Sequence, residues 1–327
     1  MAGSAFQSAR IINLRLRNLK NLMLNLWDNP VVVLGYHRVA VMPSDPNLLA
    51  VSPENFRAHM EYLKQHFQIV RFGEDWSKVR KPAVAITFDD GYADNMIEAL
   101  PVLEEVGVPA TFFISTGNLE SCDEFWWDEL ERMVLADSNF PLSFVLKDSR
   151  YGKSWPTGTI EERKVLNRDL LQLGKIVNAE QRMDWFGQIR AWGGAGSPAG
   201  QGNRPLKLDE LRNFAKSKWV TIGSHTVTHS SLAVLSEEEQ KYEIISSKVQ
   251  LEKLLGREIN VFSYPFGKRS DYDSTTIRIC REAGYLKAAT SFPGHCYRWT
   301  DRYQIPRHFI YNWDLDSFIV RVKSFWI

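Results

Sequence analysis

The sequence predicts an α/β fold in which parallel strands alternate with helices. Short apolar runs rich in β-branched residues recur along the chain, a helical pattern follows most of them, and the connecting loops are short. At least five such strand–helix units are visible, and no repeat of shorter period is present. We expect the strands to close into a distorted (β/α) barrel, with an open doubly wound sheet as the alternative.

The predicted strands are buried apolar runs of the length typical of parallel sheets. They cover residues 31–36, 83–88, 110–115, 219–223, 261–264 and 286–290. The predicted helices have apolar residues at helical spacing and end at glycines or charged turns. They cover residues 53–66, 95–106, 236–255 and 274–283. Ser236 and Glu239 form a capping-box pattern, which predicts that Ser236 is the N-cap of the long third helix.

Residues 120–206 interrupt the α/β rhythm. This segment is richer in charged and aromatic residues, has helical patterns at 126–135 and 161–192, and ends in a loop rich in glycine and alanine. We interpret it as a mostly helical insertion in one domain that covers residues 31–327.

Residues 1–30 predict a basic amphipathic helix, since Arg10, Arg15, Arg17 and Lys20 alternate with leucines and isoleucines. Such a helix either packs on the domain or contacts an anionic membrane surface. The segment lacks the uninterrupted apolar core of a secretory signal, and the chain has no apolar run of about 18 residues. We therefore expect a cytoplasmic protein, either free or attached to the inner membrane by this helix.

The composition is that of an ordinary globular protein. The chain is 44% hydrophobic and 24% charged, and its net charge of +1 argues against a nucleic-acid partner. Its cysteines, Cys122, Cys280 and Cys296, are odd in number and form no CxxC pair. This pattern predicts free thiols and favours a reducing compartment.

Polar clusters follow several of the predicted strands. Asp89 and Asp90 follow the second strand, His225 follows a later strand, and His37 follows the first. The carboxyl ends of parallel strands meet at one end of the fold, where ligands bind. We therefore expect these side chains to share one site.

Asp89 and Asp90 place two carboxylates side by side after an apolar strand. Successive strand residues point to opposite faces, so both serve one site only if a turn begins here, which Gly91 permits. One carboxylate would then bind a metal and the other act as a base. The simpler interpretation is that one of them caps the next helix.

His225 and His229 form an H-x-x-x-H pattern. On one helical turn, two imidazoles at this spacing share a face and can bind Zn²⁺. Together with a carboxylate from another strand they give two nitrogen ligands and one oxygen ligand, which leaves a coordination position open for catalysis. Such a donor set also accepts cobalt, nickel or iron.

Three motifs in this order resemble the polysaccharide deacetylase family, also called NodB-homology or carbohydrate esterase family 4. They are TFDDGY at 87–92, SHTVTH at 224–229 and SYPFG at 263–267. The resemblance covers residues 31–307 without the insertion. It implies a distorted (β/α)7 barrel and the metal-dependent removal of N-acetyl groups from the amino sugars of a polysaccharide, oligosaccharide or glycoconjugate.

The resemblance also assigns roles to individual residues. It implies that Asp90, His225 and His229 bind zinc and that Asp89 is the general base. It places Tyr264, Pro265 and Phe266 on the substrate side, where a backbone N–H near Phe266 serves as an oxyanion donor.

The sequence departs from the usual family pattern in two places. The Leu-x-His motif that carries the general acid is missing near the C-terminus, and Ser263 and Tyr264 stand where an Arg usually precedes the proline motif. The segment Leu34-Gly35-Tyr36-His37 instead resembles the circularly permuted deacetylases of exopolysaccharide systems. We therefore expect His37 to be the general acid, with His308 as the next candidate and a buried structural histidine as the alternative interpretation of His37.

Further residues are candidates for the substrate side. Arg307 either orients Asp89, binds substrate or forms an ordinary ion pair, and Trp127 and Asp128, at the start of the insertion, either contact a sugar ring or belong to a core. His59, His66 and His295 are interpreted as structural. Two other functions remain open at this point: hydrolysis of another carbon–nitrogen amide, such as a formamide or a cyclic imide, and an inactive carbohydrate-binding relative.

Overall fold

A computed structural model describes residues 28–42, 44–121, 123–137, 139–148, 152–193 and 203–326. Residues 1–27 of the predicted N-terminal helix and Cys122 lie outside the described residues. Cys280 and Cys296 are buried free thiols. Among the described helices, none combines the length and the apolar character that crossing a membrane requires.

Eight parallel strands form the central sheet, and four further short strands pair outside it. In chain order the strands are β1 (Val31–Tyr36), β2 (Arg38–Val39), β3 (Ala50–Val51), β4 (Gln68–Ile69), β5 (Ala83–Phe88), β6 (Ala110–Ile114), β7 (Ser143–Lys147), β8 (Gly152–Pro156), β9 (Val220–Ser224), β10 (Val261–Ser263), β11 (Lys287–Ala289) and β12 (His308–Phe309). The order in the sheet is β11-β10-β9-β6-β5-β1-β12, and β4 adds to β5. The six predicted strands are therefore β1, β5, β6, β9, β10 and β11, with ends that shift by one residue at most.

The sheet curls until its two edges meet. Ile305 pairs with Ala289 at the end of β11, and His308, a little further along the same segment, pairs with Leu34 of β1. The segment before β12 therefore joins the last strand to the first. This confirms the distorted (β/α) barrel, and the open doubly wound alternative is wrong.

Helices cover the outside of the barrel. They are α1 (Pro53–His66), α2 (Leu100–Val106), α3 (Trp126–Leu135), α4 (Ile160–Lys175), α5 (Ala179–Gly193), α6 (Leu208–Phe214), α7 (Glu237–Lys241), α8 (Ser247–Leu255), α9 (Ser274–Glu282) and α10 (Leu315–Ser324). The predicted Ser236 capping box is present. The predicted helices 95–106 and 236–255 each contain a π-helical turn, at Asn95–Ala99 and Tyr242–Ser246.

Alternate residues of the barrel strands bury into two different clusters, as strand geometry requires. Val32 and Leu34 pack outward against the helices, in the main core. Val31 and Val33 point inward and pack with Ala83 in a smaller cluster. The interior is therefore filled by side chains, and the polar site forms only where the strands end.

The insertion has a hydrophobic cluster of its own, which runs from Leu130 to Ile189. Its predicted helical character is only partly right, because β7 and β8 form an antiparallel hairpin. The alternating pattern that would predict a strand is short there, because only Phe144 and Leu146 of β7 are buried in the cluster. The predicted helix 161–192 is two helices, since Asn178 accepts a hydrogen bond from the Gln181 N–H and begins a new helix.

Candidate active site

Asp89 and Asp90 lie at the carboxyl end of β5, where the chain turns as expected. Asp90 has a φ of 74° and Gly91 a φ of 92°, so two successive residues adopt left-handed conformations. For Asp90 this is uncommon backbone, which tends to persist where the surrounding structure holds it at functional sites. The turn brings both carboxylates to the same cavity.

Asp90, His225 and His229 form a buried cluster of three potential metal ligands. The Nε2 atoms of His225 and His229 lie 3.5 and 3.3 Å from Asp90 Oδ1, and one ligand atom from each residue lies within 4.8 Å of the others. Two ligands of a tetrahedral Zn²⁺, each about 2.0–2.1 Å from the ion, lie about 3.3 Å apart. The two separations from Asp90 therefore match the spacing of ligands around one small cation.

The two histidines are not on a helix, so that part of the sequence interpretation is wrong. Residues 225–230 form an irregular loop after β9. Thr226 and His229 have φ values of 67° and 53°, which an α-helix does not allow. The imidazoles converge because the loop turns back on itself, not because they share a helical face.

A buried carboxylate holds this loop. Glu243, in the π-helical turn after α7, accepts hydrogen bonds from the backbone N–H groups of Val227 and Thr228 at 2.8 and 2.9 Å. Its second oxygen accepts from the Thr228 hydroxyl at 2.6 Å. Sequence reasoning missed Glu243, because nothing in its local pattern distinguishes it from a surface glutamate of an amphipathic helix.

The two imidazoles are oriented in different ways. His225 Nδ1 lies 2.7 Å from the Ser263 carbonyl oxygen, which fixes the ring and leaves Nε2 toward Asp90. His229 Nδ1 is buried without a hydrogen-bond partner among the described residues. The rings of Trp127 and Phe266, with centroids 4.5 and 4.8 Å away, hold the His229 ring by packing.

Burial and charge favour the metal-binding forms of these side chains. Burial raises the pKa of Asp90, but its contacts with His225 and His229 outweigh this and hold the pKa well below the ordinary value. Burial lowers the pKa of His229 to about 4. At neutral pH the cluster therefore presents an ionised carboxylate and a neutral His229 imidazole, the states that bind a metal ion.

Asp89 forms a buried ion pair with Arg307. Arg307 Nη1 and Nη2 donate to the two oxygens of Asp89, each at 2.7 Å, and Arg307 Nε donates to the Thr290 carbonyl at 2.7 Å. Burial raises the pKa of Asp89, but the opposing charge and hydrogen bonds of Arg307, together with the nearby His225, outweigh this effect, so the net shift is downward. Arg307 is buried and does not line the cavity. Its position therefore fits the predicted role of orienting Asp89 and does not fit contact with substrate.

A cavity of about 360 Å³ opens above this cluster. Its walls combine aromatic rings with a few polar groups. They are His37, Asn47, Leu49, Asp89, Asp90, Trp126, Trp127, Leu171, Gln172, Lys175, His225, His229, Phe266, Lys268, Ser291, Phe309 and Tyr311. A cavity of this size and lining is typical of a small-molecule or sugar site.

His37 faces this cavity from the loop after β1. Its ring stacks on Phe309, with ring centroids 5.0 Å apart. A side chain at Gly35 would place its Cβ 2.8 Å from the Phe309 ring, so glycine is required there for Phe309 to lie against His37. His308, the other candidate acid, does not line the cavity: its ring stacks on Phe325, and Nε2 lies 3.1 Å from the Gly294 carbonyl oxygen.

The proline motif contributes one residue to the cavity instead of three. Phe266 lines it, has a φ of 59°, and its N–H has no hydrogen-bond acceptor within the described part of the chain.

Tyr264 is buried in the core, where its hydroxyl donates to Tyr303 O at 2.9 Å and its N–H to Ala289 O at 3.1 Å. The predicted substrate-side positions of Tyr264 and Pro265 are therefore wrong. Ser263 faces Asp89, and the next residue along the strand must face the other way.

Trp127 lines the cavity, but Asp128 does not. Trp127 Nε1 donates to the Tyr92 hydroxyl at 2.7 Å, and that hydroxyl donates to Asp128 Oδ2 at 2.6 Å. Burial raises the pKa of Asp128 to about 7. The predicted substrate contact of Asp128 is therefore wrong; the residue lies one layer behind the cavity and holds Tyr92 and Trp127 in place.

The insertion forms one wall of the cavity. Trp126 and Trp127 come from α3, and Leu171, Gln172 and Lys175 from α4. Sequence reasoning missed the α4 residues, because their contact with the barrel depends on how the insertion folds back. His59 and His66 bond within the fold, to Trp313 O and Tyr62 O, and lie outside the cavity lining.

Comparisons with known proteins point to one family. The family model described as "Polysaccharide deacetylase" matches residues 77–140 and 189–288, which together make up half of the chain. The unmatched segment between them belongs to the insertion. A protein of Bacillus subtilis (strain 168), YxkH, itself assigned only provisionally as a polysaccharide deacetylase, is 22% identical over 282 residues, which cover 84% of this chain and 69% of YxkH.

Solved structures share the fold. The Streptococcus pyogenes deacetylase PplD, solved in complex with acetate, superposes with a TM-score of 0.57 at 18% identity, over 90% of this chain and 98% of PplD. IcaB from Ammonifex degensii superposes with a TM-score of 0.57 at 19% identity, over 91% of this chain and 97% of IcaB. The family match over half of the chain, together with the convergence of Asp89, Asp90, His225 and His229 at one end of the barrel, shows that the chain belongs to the polysaccharide deacetylase family.

Proposed function

We propose that this protein is a metal-dependent N-deacetylase that hydrolyses the acetamido group of an amino sugar in a polysaccharide, oligosaccharide or glycoconjugate. The observation that carries the proposal is that a cluster of metal ligands and a carboxylate base lie side by side at one end of the barrel. Asp90, His225 and His229 form a three-ligand cluster, and Asp89, beside it, is held in its ionised form by Arg307. A structural metal site needs no such neighbouring base.

The donor set fits Zn²⁺, and cobalt, nickel and iron are also compatible with two imidazoles and one carboxylate. When bound, such an ion polarises the amide carbonyl and lowers the pKa of a coordinated water. Asp90, His225 and His229 would hold the ion.

Asp89 acts as the general base. Its carboxylate lines the cavity beside Asp90, and the two hydrogen bonds from Arg307 fix its orientation. Each oxygen keeps a second lone pair, so Asp89 can accept the proton of the attacking water while it remains paired. The low pKa of Asp89 keeps it ionised over the neutral range.

His37 and Phe266 complete the chemistry. An amide nitrogen leaves only after protonation, and His37 is the imidazole of the cavity wall that does not belong to the metal cluster. The Phe266 N–H, unpaired and at the cavity wall, donates to the carbonyl oxygen as negative charge develops on it. Trp126 and Tyr311, which line the cavity and are not buried, offer aromatic surface for a sugar ring.

Acetate release tests this proposal. The protein would be assayed with N-acetylglucosamine oligomers and with N-acetylated sugar esters, before chelation, after chelation and after zinc is restored. We expect release that stops with the chelator and returns with zinc. Formate release from an N-formyl substrate, or ring opening of a cyclic imide, without acetate release would favour the other amide hydrolases. Sugar binding with no hydrolysis at full metal occupancy would favour the inactive relative.

A further inference from the structure

Two lysines, one from the insertion and one from the barrel, line the cavity. Besides Asp89 and Asp90, which belong to the catalytic cluster, no carboxylate is among the described residues that line the cavity. Two lysines line it, Lys175 from α4 and Lys268 from the loop after β10. The acetamido chemistry does not use either of them.

Lys175 is held close to the catalytic cluster. Its Nζ lies 4.0 Å from the centroid of the Phe266 ring, and Phe266 packs on the ligand candidate His229. Its side chain is only 14% exposed, although a lysine is usually well solvated. Burial and the nearby charge of Lys268 both lower the pKa of Lys175, against the opposing effect of Asp271.

One carboxylate, Asp271, lies beside both lysines and pairs with Lys175. Asp271 Oδ1 lies 3.7 Å from Lys175 Nζ, which is an ion-pair distance. Asp271 Oδ2 accepts from the backbone N–H of Lys268 at 2.9 Å, not from its ammonium. Lys268 is exposed, and its ammonium forms no ion pair with the rest of the described chain. Two ammonium groups and one carboxylate leave this cluster with a net charge of +1, since the Lys268 ammonium has no ion-pair partner among the described residues.

We infer that Lys175 and Lys268 form an anion subsite, so that the preferred substrate is an acetamido sugar that carries a phosphate or diphosphate ester. This inference rests on the proposed function. Lysine binds phosphate as a point charge, whereas arginine favours planar pairing with a carboxylate. Among the described residues, no arginine lines the cavity. A phosphorylated or diphosphate-linked sugar would place its ester on the insertion wall and its acetamido group at Asp90.

The kinetic test compares kcat/KM for N-acetylglucosamine 1-phosphate and for N-acetylglucosamine. We expect the wild type to prefer the phosphate ester, and the ratio of the two kcat/KM values to fall by roughly tenfold in Lys175→Met and in Lys268→Met. The preference should also weaken in high salt, which screens charges at the cavity mouth. The ratio cancels any general loss of activity in a variant.

Lys153→Met is the matched control. Lys153 also lies in the insertion, 4.8 Å from the centroid of the Trp155 ring and 2.7 Å from an Asp169 oxygen, but it does not line the cavity. This substitution should leave the ratio at its wild-type value. A ratio that falls equally in Lys153→Met would show an effect of net charge alone and would overturn the subsite.

A binding measurement separates this inference from the proposed function. Glucose 1-phosphate carries the phosphate and has no amide to hydrolyse, so its Kd is measurable by calorimetry whether or not the protein releases acetate. We expect tighter binding than for glucose, weakened by roughly tenfold in Lys175→Met and unchanged in Lys153→Met. Equal Kd values for the two sugars, or a Kd insensitive to Lys175 and Lys268, would overturn the subsite even if the deacetylase activity is present. Tight, lysine-dependent binding without acetate release would instead support the subsite and contradict the proposed reaction.

Discussion

Arg307 donates two parallel hydrogen bonds of 2.7 Å to the two carboxylate oxygens of Asp89, a residue 218 positions earlier in the chain. Arg307 Nη2 also donates to Ser263 Oγ at 2.9 Å. Ser263 stands just before the proline motif, near the position where an arginine is usual in the family. The chain therefore supplies the guanidinium from the segment that closes the barrel.

We expect Arg307→Met to move the acid limb of the pH–rate profile to higher pH. Arg307 lowers the pKa of Asp89, and burial alone would raise it, so without the guanidinium Asp89 becomes protonated at a higher pH and stops acting as a base. Truncating one partner of a buried ion pair also destabilises a protein by about 3–5 kcal/mol. Profiles of kcat/KM against pH, measured at a temperature where the variant is folded, test this. An acid limb that stays where it is in the wild type would contradict the role of Arg307.

The fold was largely predictable because the strands of a parallel barrel are buried on both faces. Their apolar runs stand out in sequence, and β1 and β5 have the predicted bounds. The hairpin β7–β8 was not predictable in the same way, since only one of its faces is buried and its strands are short. The π-helical turns leave no signature in the pattern, because they change the register by one residue and keep the apolar face.

The site residues that directly follow a strand were predictable, because the fold brings the ends of parallel strands together. Asp89, Asp90, His37 and the first histidine of the H-x-x-x-H pattern all follow strands, and the topology brings them together. What failed depends on side-chain direction or on distant contacts. Tyr264 alternates away from the site, and the left-handed backbone of His229 is set by a loop that Glu243 holds.

Glu243→Gln should weaken metal binding while all three ligand residues remain. The amide carries no negative charge, so the hydrogen bonds from the Val227 and Thr228 N–H groups lose their charge assistance, and the Thr228 hydroxyl loses the oxygen to which it donates. Loss of such an outer partner typically costs about 10–100-fold in metal affinity. Competition with a chromophoric chelator measures the change. Glu252→Gln, on the following helix and bonded to the Ile259 N–H, is the control and should keep wild-type affinity.

Asp128→Asn should remove a pH dependence of folding stability. The folded-state pKa of Asp128 is about 7, above its ordinary value of 3.8, so its contribution is fully present below about pH 4 and is lost as the pH rises through 7. Asparagine cannot ionise and still accepts from Tyr92. The variant should therefore gain stability relative to wild type between about pH 4 and pH 8, by a few kcal/mol at most. Chemical denaturation of both proteins at several pH values tests this, and parallel stability curves would show that Asp128 does not titrate in this range.

His37→Gln should lower kcat by about 10²–10⁴-fold if His37 protonates the leaving nitrogen. His308→Gln should have little effect on kcat, because His308 bonds to the Gly294 carbonyl oxygen and lies outside the cavity lining. Steady-state acetate release by both variants at full metal occupancy makes the comparison. Equal activity in the two variants would remove His37 as the general acid.

The most direct test of the metal-dependent reaction is a titration of Zn²⁺ into the chelated protein, with bound zinc per chain and the rate of acetate release measured on the same samples. If Asp90, His225 and His229 hold the catalytic ion, the rate rises in proportion to bound zinc and levels off at one ion per chain, and His225→Ala neither binds the ion tightly nor releases acetate. Full acetate release by the metal-free protein, or by His225→Ala without bound zinc, would contradict the proposed mechanism.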